Sequence, residues 1–249
     1  MTEQDRQRAI RLRLARSDQG HPGRVLPTGF AALDAALGAG GLPRGALVEL
    51  FGPSSSGKTT LALQIVARAQ THGETAAWID AEHAFDAPYA SRLGVAVNEM
   101  PLAQPESAEQ ALDIACRLAD SGAVDLLVVD SAAALVPRLE LESGVGEGSA
   151  GLQSRVLASG LRRLAHLAAR RDCVALFLNQ TRSRMLASGG EAETSAGGAP
   201  LKLYAALRIS LDPRNAGRVV FRVLKNRRAE AYREGELPRR QGGEFTESP

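Results

Sequence analysis

The stretch Gly52-Pro-Ser-Ser-Ser-Gly57-Lys58-Thr59 satisfies the pattern G-x-x-x-x-G-K-[ST] in full. Such a loop curls its backbone around phosphates with N–H groups pointing inward, at dihedral angles that a Cβ obstructs, hence the glycine at each end. Lys58 brings a positive charge to the β- and γ-phosphates, and the Thr59 hydroxyl a ligand for Mg²⁺. The surroundings agree. Ala46-Leu-Val-Glu-Leu-Phe51 reads as a buried strand before the loop. Thr60-Leu-Ala-Leu-Gln-Ile-Val-Ala reads as a helix after it, with its N-terminal dipole facing the phosphates. Gly52, Pro53, Ser54, Ser55, Ser56, Gly57, Lys58, Thr59 and Thr60 are therefore candidate contacts to a nucleoside triphosphate.

Three more strand-like runs follow, at Thr75–Asp80, Val124–Asp130 and Cys173–Asn179, separated by segments of helical period. That alternation predicts an α/β fold with a mostly parallel sheet flanked by helices. The helix after Pro105 opens on a capping box, Ser107 with Gln110, and carries an apolar face through Ala108, Ala111, Leu112, Ala115, Leu118 and Ala119. Leu152 to Ala169 repeats the pattern. Two final strands, Ala205–Leu211 and Arg218–Leu224, predict an antiparallel hairpin on the edge of the sheet. We divide the chain into a short basic segment and linker over 1–27, a core over 28–232, and a polar Gly/Pro-containing tail over 233–249 that is expected to be disordered.

With 249 residues and 44% hydrophobic content, one well-buried domain is expected. No apolar run approaches the roughly 20 residues that span a bilayer, and the charged N-terminus does not open a signal peptide, so a cytoplasmic protein without a membrane partner is expected. Cys116 and Cys173 lie in apolar segments and read as buried free thiols, and the four histidines show no metal-ligand spacing. The net charge of +2 is uneven: +3 over residues 1–24, −6 in the middle and +5 over residues 202–249. Basic ends suit a polyanion partner or subunits stacking end to body; solvated surface charge is the plain alternative.

Leu126-Leu-Val-Val-Asp130-Ser131 has the shape of a Walker B element, an apolar strand whose terminal aspartate steadies the Mg²⁺ shell. Glu82 follows its strand at the same carboxyl edge, where ligands bind in open α/β sheets, and is placed to deprotonate an attacking water. Asn179-Gln180 ends a third strand, and an uncharged amide there suits a γ-phosphate sensor.

At this point the residues carry a resemblance. Leu37-Gly-Ala-Gly-Gly-Leu-Pro43, Gly52 to Thr60, Asp80-Ala-Glu-His-Ala-Phe-Asp86, Ala123-Val-Asp-Leu-Leu-Val-Val-Asp-Ser131, Asn179-Gln180 and Val223-Leu-Lys-Asn226 resemble the bacterial RecA family in order and spacing, over roughly residues 28–230. The resemblance implies a RecA-type ATPase core using ATP and Mg²⁺, binding single-stranded DNA for homologous recombination, DNA repair and the SOS response. It makes Glu82 the catalytic base and Gln180 the γ-phosphate sensor linked to the DNA loops. Asp86 and Tyr89 become adenine contacts, and Asp130 and Ser131 part of the nucleotide site. Lys225 and Arg227 stand at the positions of two family lysines that reach a neighbouring subunit's ATP, with arginine replacing lysine at 227, which implies a homo-oligomer or filament.

Arg138 to Ala150 and Thr181 to Pro200 are long Gly-rich segments that correspond to the family's DNA-binding loops. On that basis Arg155, Arg162, Arg182, Arg184, Gly197 and Gly198 are the implied DNA contacts, through phosphates and backbone amides. Gly189 and Ala150 stand where the family places an aromatic residue and a methionine, a departure that bears on strand exchange more than on DNA binding. The N-terminal segment is short and arginine-rich, and the chain ends soon after Arg240. Those ends admit an alternative, a short paralogue of the ImuA type that partners RecA or an error-prone polymerase.

Overall fold

The structure is a computed structural model. It describes residues 25–143, 151–185, 191–195, 199–215, 217–240 and 242–246, with side chains described for all of these but 182–185, 191–195 and 215. The basic segment 1–24 lies outside the described residues, as do Ala150, Gly189, Gly197 and Gly198.

In chain order the elements are β1 (Val25–Leu26), α1 (Ala31–Leu37), β2 (Leu42–Pro43), β3 (Leu47–Gly52), α2 (Lys58–Thr71), β4 (Ala76–Asp80), α3 (Ala87–Arg92), β5 (Leu102–Ala103), α4 (Ala108–Asp120) and β6 (Leu126–Asp130). They continue through α5 (Arg138–Glu142), α6 (Leu152–Arg171), β7 (Val174–Met185), β8 (Glu191–Ser195), α7 (Ala199–Tyr204), β9 (Leu207–Asn215), β10 (Arg218–Asn226) and β11 (Glu234–Pro238). The main sheet runs β11-β10-β9-β3-β7-β6-β4-β5, with β8 paired to β7. From β9 through β5 neighbouring strands are parallel, while β10 and β11 are antiparallel additions. The expected α/β architecture is therefore present.

Both faces of the central parallel strands β3, β4, β6 and β7 are buried, and the side chains divide by the two-residue period of a strand. Val48, Leu50, Trp78, Val128, Leu176 and Leu178 face one layer with α1 and α2. Leu47, Ala77, Ile79, Leu127, Val129, Ala175 and Phe177 face the other, with the apolar faces of α4 and α6. The cap of α4 forms as the sequence predicts: the Ser107 side chain accepts from the Gln110 N–H. The Gln110 amide oxygen accepts from the N–H of Glu106, one residue earlier than a standard capping box.

Four expectations change. Val25 and Leu26 are not linker; they pair with Leu42 and Pro43, and Leu26 is buried. The β9–β10 hairpin is not the sheet's edge, because β11 pairs along β10 from Arg218 to Arg222. The segment from Thr181 is not simply a loop: β7 continues to Met185, and β8 pairs back from Ser195 opposite Thr181 to Glu191 opposite Met185. Lastly, the tail expected to be disordered contributes β11 and a buried aromatic, Phe245, which is 3% exposed. Phe245 lies edge-on to Phe30 with ring centroids 6.3 Å apart. Its backbone exchanges two 2.9 Å hydrogen bonds with the Gln64 side chain of α2. Leu237 and Phe245, both buried in the same core cluster, tie this polar segment to the fold.

Phe245→Ala is therefore expected to destabilise the protein by about 3 kcal/mol, the usual size of a buried Phe truncation. Chemical denaturation checks this, and a variant as stable as the parent would return the tail to disorder.

Candidate functional site

The site lies at the carboxyl ends of β3, β4, β6 and β7. The phosphate loop bridges β3 to α2, and its two glycines are needed for different reasons. Gly57 has φ +91°, in the left-handed region, and Ser55 joins it at φ +61°. Gly52 is required by close packing, since a Cβ there would lie 2.4 Å from the Leu211 carbonyl oxygen of β9. The sequence reasoning that gave both glycines a dihedral role holds for Gly57 only.

Lys58 opens α2 and is buried, with Nζ donating to the carbonyls of Gly52 (3.1 Å) and Pro53 (2.8 Å) and to Ser56 Oγ (3.3 Å). Burial lowers its pKa, opposed by the charges of Asp130 and Glu82. Thr59 Oγ1 donates to Asp130 Oδ2 at 3.0 Å, which joins the phosphate loop to the end of β6. Burial pushes the Asp130 carboxyl up to about 6; the Thr59 hydrogen bond and Lys58 oppose that rise, and Glu82 and Asp80 add to it. Among the described residues no group of three or more His, Cys, Asp or Glu is arranged to hold a metal. Thr59 and Asp130 are still a suitable oxygen pair for Mg²⁺, which takes few protein ligands and completes its shell from phosphate and water.

Glu82 stands beside this pair. Ser131 Oγ donates to Glu82 Oε1 at 2.5 Å, and Gln180 Nε2 donates to the same oxygen at 3.4 Å. The N–H groups of Ala81 and Glu82 both donate to the Asp130 carbonyl, so the loop after β4 is locked to the end of β6. The Asp130–Ser131 peptide is cis. Asp86 caps α3 by accepting from the Tyr89 N–H at 2.8 Å, and the Tyr89 hydroxyl is 2.7 Å from Thr60 Oγ1. Together Thr59, Trp78, Glu82, Asp86, Tyr89 and Asp130 line one small cleft of about 130 Å³.

The remaining sequence candidates are placed elsewhere. Asn179 is fully buried and donates to Glu49, so of the Asn179-Gln180 pair only Gln180 reaches the site. Lys225 donates to the carbonyls of Lys202 and Leu203, and Arg227 to Leu203, all at the C-terminal end of α7. Arg155 and Arg162 are exposed on α6, with Arg162 donating to the Tyr204 hydroxyl. The backbones of Arg182 and Arg184 lie in β7, opposite Thr194 and Ala192.

Sequence reasoning missed three groups. Asp80, buried, accepts from the Phe85 N–H and the Gln104 side chain and so shapes the cleft floor. Glu49, 0% exposed, accepts from Arg208 and Asn179 beneath the loop. Arg239 donates to the Ser55 carbonyl at 3.1 Å. A lone acid inside an apolar strand is the one signal that pointed to Glu49.

A parallel sheet whose first buried strand turns through this loop into a helix defines a P-loop protein of the α/β class. Comparison with known proteins narrows the class. The family model described as the RecA N-terminal domain matches residues 7–237. "Protein RecA" of Thermus thermophilus is 49% identical over 225 residues, covering 86% of this chain and 66% of its own. "Protein RecA" of Thermus aquaticus is 47% identical and that of Geobacter metallireducens 45%, each with the same 86% and 66% coverage. The chain belongs to the RecA family and spans 66% of the length of these relatives.

The raised Asp130 pKa has a measurable consequence. A buried acid that binds its proton more tightly when folded favours the fold at low pH, and that contribution is lost as pH rises from about 4 through about 6. Without nucleotide or divalent cation, Asp130→Asn is expected to be more stable than the parent at pH 7, by on the order of 3 kcal/mol, with the gap closing near pH 4. Denaturation curves at pH 4, 5, 6 and 7 test this; a gap that does not change with pH would refute it.

Proposed function

We propose that this chain is a DNA-dependent ATPase of the RecA type, binding single-stranded DNA with ATP and serving homologous recombination, repair and the SOS response. The observation that carries the reading is the Glu82–Gln180 hydrogen bond. It joins the carboxylate placed to activate water to the residue that precedes the β7–β8 hairpin, the segment assigned to DNA.

In this reading the N–H groups of residues 54–59 and the Lys58 ammonium hold the β- and γ-phosphates. Mg²⁺ would be held by Thr59 and Asp130 and would supply charge neutralisation of those phosphates. Glu82 Oε1 is occupied by Ser131 and Gln180. That assigns Oε2 to the water, taking its proton as the oxygen bonds to the γ-phosphorus and the bond to ADP breaks. Asp86 and Tyr89 flank the adenine. Lys225 and Arg227 serve the site of the adjacent subunit in a homo-oligomer or filament, leaving the carbonyls they hold at the end of α7. Arg155, Arg162, Arg182 and Arg184 meet DNA phosphates, and Gly197 and Gly198 offer backbone amides. No helix among the described residues is long and apolar enough to cross a membrane, which supports a cytoplasmic location. The short-paralogue reading is not favoured, because the relatives matched at 45–49% identity carry the name "Protein RecA".

ATP turnover is expected to rise with single-stranded DNA, most strongly at low salt. Glu82→Gln should lower kcat about 10²- to 10⁴-fold while ATP still binds, and Lys58→Ala should lose ATP binding itself. Steady-state hydrolysis with and without DNA checks both, and turnover indifferent to DNA would contradict the proposal.

A further inference from the structure

The phosphate loop is held from outside by the C-terminal strap, and a cation makes the contact. After β11 the chain turns back on itself: Arg239 forms an antiparallel bridge with Phe245, and the Thr246 N–H donates to the Pro238 carbonyl at 2.9 Å. The strap has anchors besides the Arg239 side chain, whose guanidinium lies 6.0 Å from the Phe245 ring centroid. Phe245 is buried against Phe30 and tied to Gln64, and the Arg239 backbone N–H donates to the Gly217 carbonyl at 2.7 Å.

The guanidinium therefore remains available for other contacts. Its Nη1 donates to the Ser55 carbonyl and its Nε to the Gly243 carbonyl, each at 3.1 Å. Its central carbon would be 3.7 Å from a Cβ built on Gly57, so the charge lies against the outer surface of the loop. The Phe245 ring covers the same glycine, 2.7 Å from that Cβ position.

A loop that turns its N–H groups inward turns carbonyls outward, and Ser55 reaches that geometry only by entering the left-handed region. A permanently charged donor on its carbonyl does two things. It polarises the peptide so that the inward N–H groups become stronger donors, and it fixes a conformation that an unheld loop would have to be ordered into on binding. The positive charge itself also stands beside the place a polyanion would occupy.

We propose that Arg239 is a positioning residue of the phosphate site, holding the Ser55 peptide in the shape that receives the phosphates of a nucleoside di- or triphosphate. The inference rests on the nucleotide-binding reading above and adds a residue to it from outside the loop motif. It separates Arg239 from its neighbour: Phe245 secures the strap, and Arg239 transmits the strap's rigidity to the loop.

The test is titration of the full chain with a fluorescent ADP analogue and Mg²⁺, alongside ATP turnover. Arg239→Met is expected to weaken ADP binding about tenfold, because the unheld loop must then be ordered on binding. KM for ATP should rise while kcat at saturation is retained, the mark of an interaction made equally in ground and transition states. Arg239→Lys, which keeps the charge and one donor, should recover part of the loss. A purely structural role would lower the melting temperature and leave the dissociation constant of the folded fraction unchanged. A folded Arg239→Met protein whose dissociation constant stays within twofold of the parent overturns the inference. Should that variant not fold, Arg239→Gln is judged by the same twofold limit. Failure of the parent chain to bind the analogue would overturn the nucleotide reading, and this inference with it.

Discussion

A buried carboxylate at the centre of the sheet fixes the arrangement on which the site depends. Glu49 sits in the middle of β3 with no solvent exposure, and an unpaired charge there would cost several kcal/mol. It is paired from both sides: Arg208 on β9, directly opposite it in register, and Asn179 on β7, one strand period beyond its register partner Phe177. A one-residue slip of either neighbouring strand would turn its partner to the other face of the sheet. The Glu49 set thus specifies the register of β9, β3 and β7 together, and with it everything mounted on their carboxyl ends.

Three candidate groups lie on these strands or on the next one. Three residues past Glu49, the phosphate loop begins at Gly52, seated against the Leu211 carbonyl of β9. One residue past Asn179, Gln180 has its N–H held by the Asn179 side chain and its amide turned to Glu82. Across the sheet, Lys225 on β10 stands opposite Arg208, and the charges of Arg227 and Arg208 add to burial in lowering its pKa. The candidate sensor and the loop are carried by strands that one buried acid holds in register, and the candidate trans-acting cation by β10 beside them.

Much of this was legible in the sequence because its signals are local. The phosphate loop, the apolar strand ending at Asp130 and the capped helix from Ser107 each announce themselves within ten residues or so. What the sequence concealed depends on distant partners. The continuation of β7 through Thr181-Arg-Ser-Arg-Met185 and its return through Glu191-Ala-Glu-Thr-Ser195 lack an apolar face, so their composition reads as loop, and only mutual pairing makes them strands. The tail reads as disordered by its glycines, prolines and charges, yet a single aromatic, Phe245, finds Phe30 more than two hundred residues earlier. Arg239 is one of three arginines in a polar tail; its contact with Ser55 exists only because that tail folds back. Asn179 was read with Gln180 as a sensor, but its strand position turns it inward to Glu49.

In the proposed mechanism the nucleotide site and the β7–β8 hairpin act as one mechanical unit joined at Gln180. The most direct measurement is the affinity of a labelled single-stranded oligonucleotide, by fluorescence anisotropy, in the presence of a non-hydrolysable ATP analogue and in the presence of ADP. At least about tenfold tighter binding with the triphosphate analogue is expected in the parent chain, within the usual range of site-to-site coupling, and collapse of that difference in Gln180→Ala. Equal affinity in the two nucleotide states of the parent chain would contradict it.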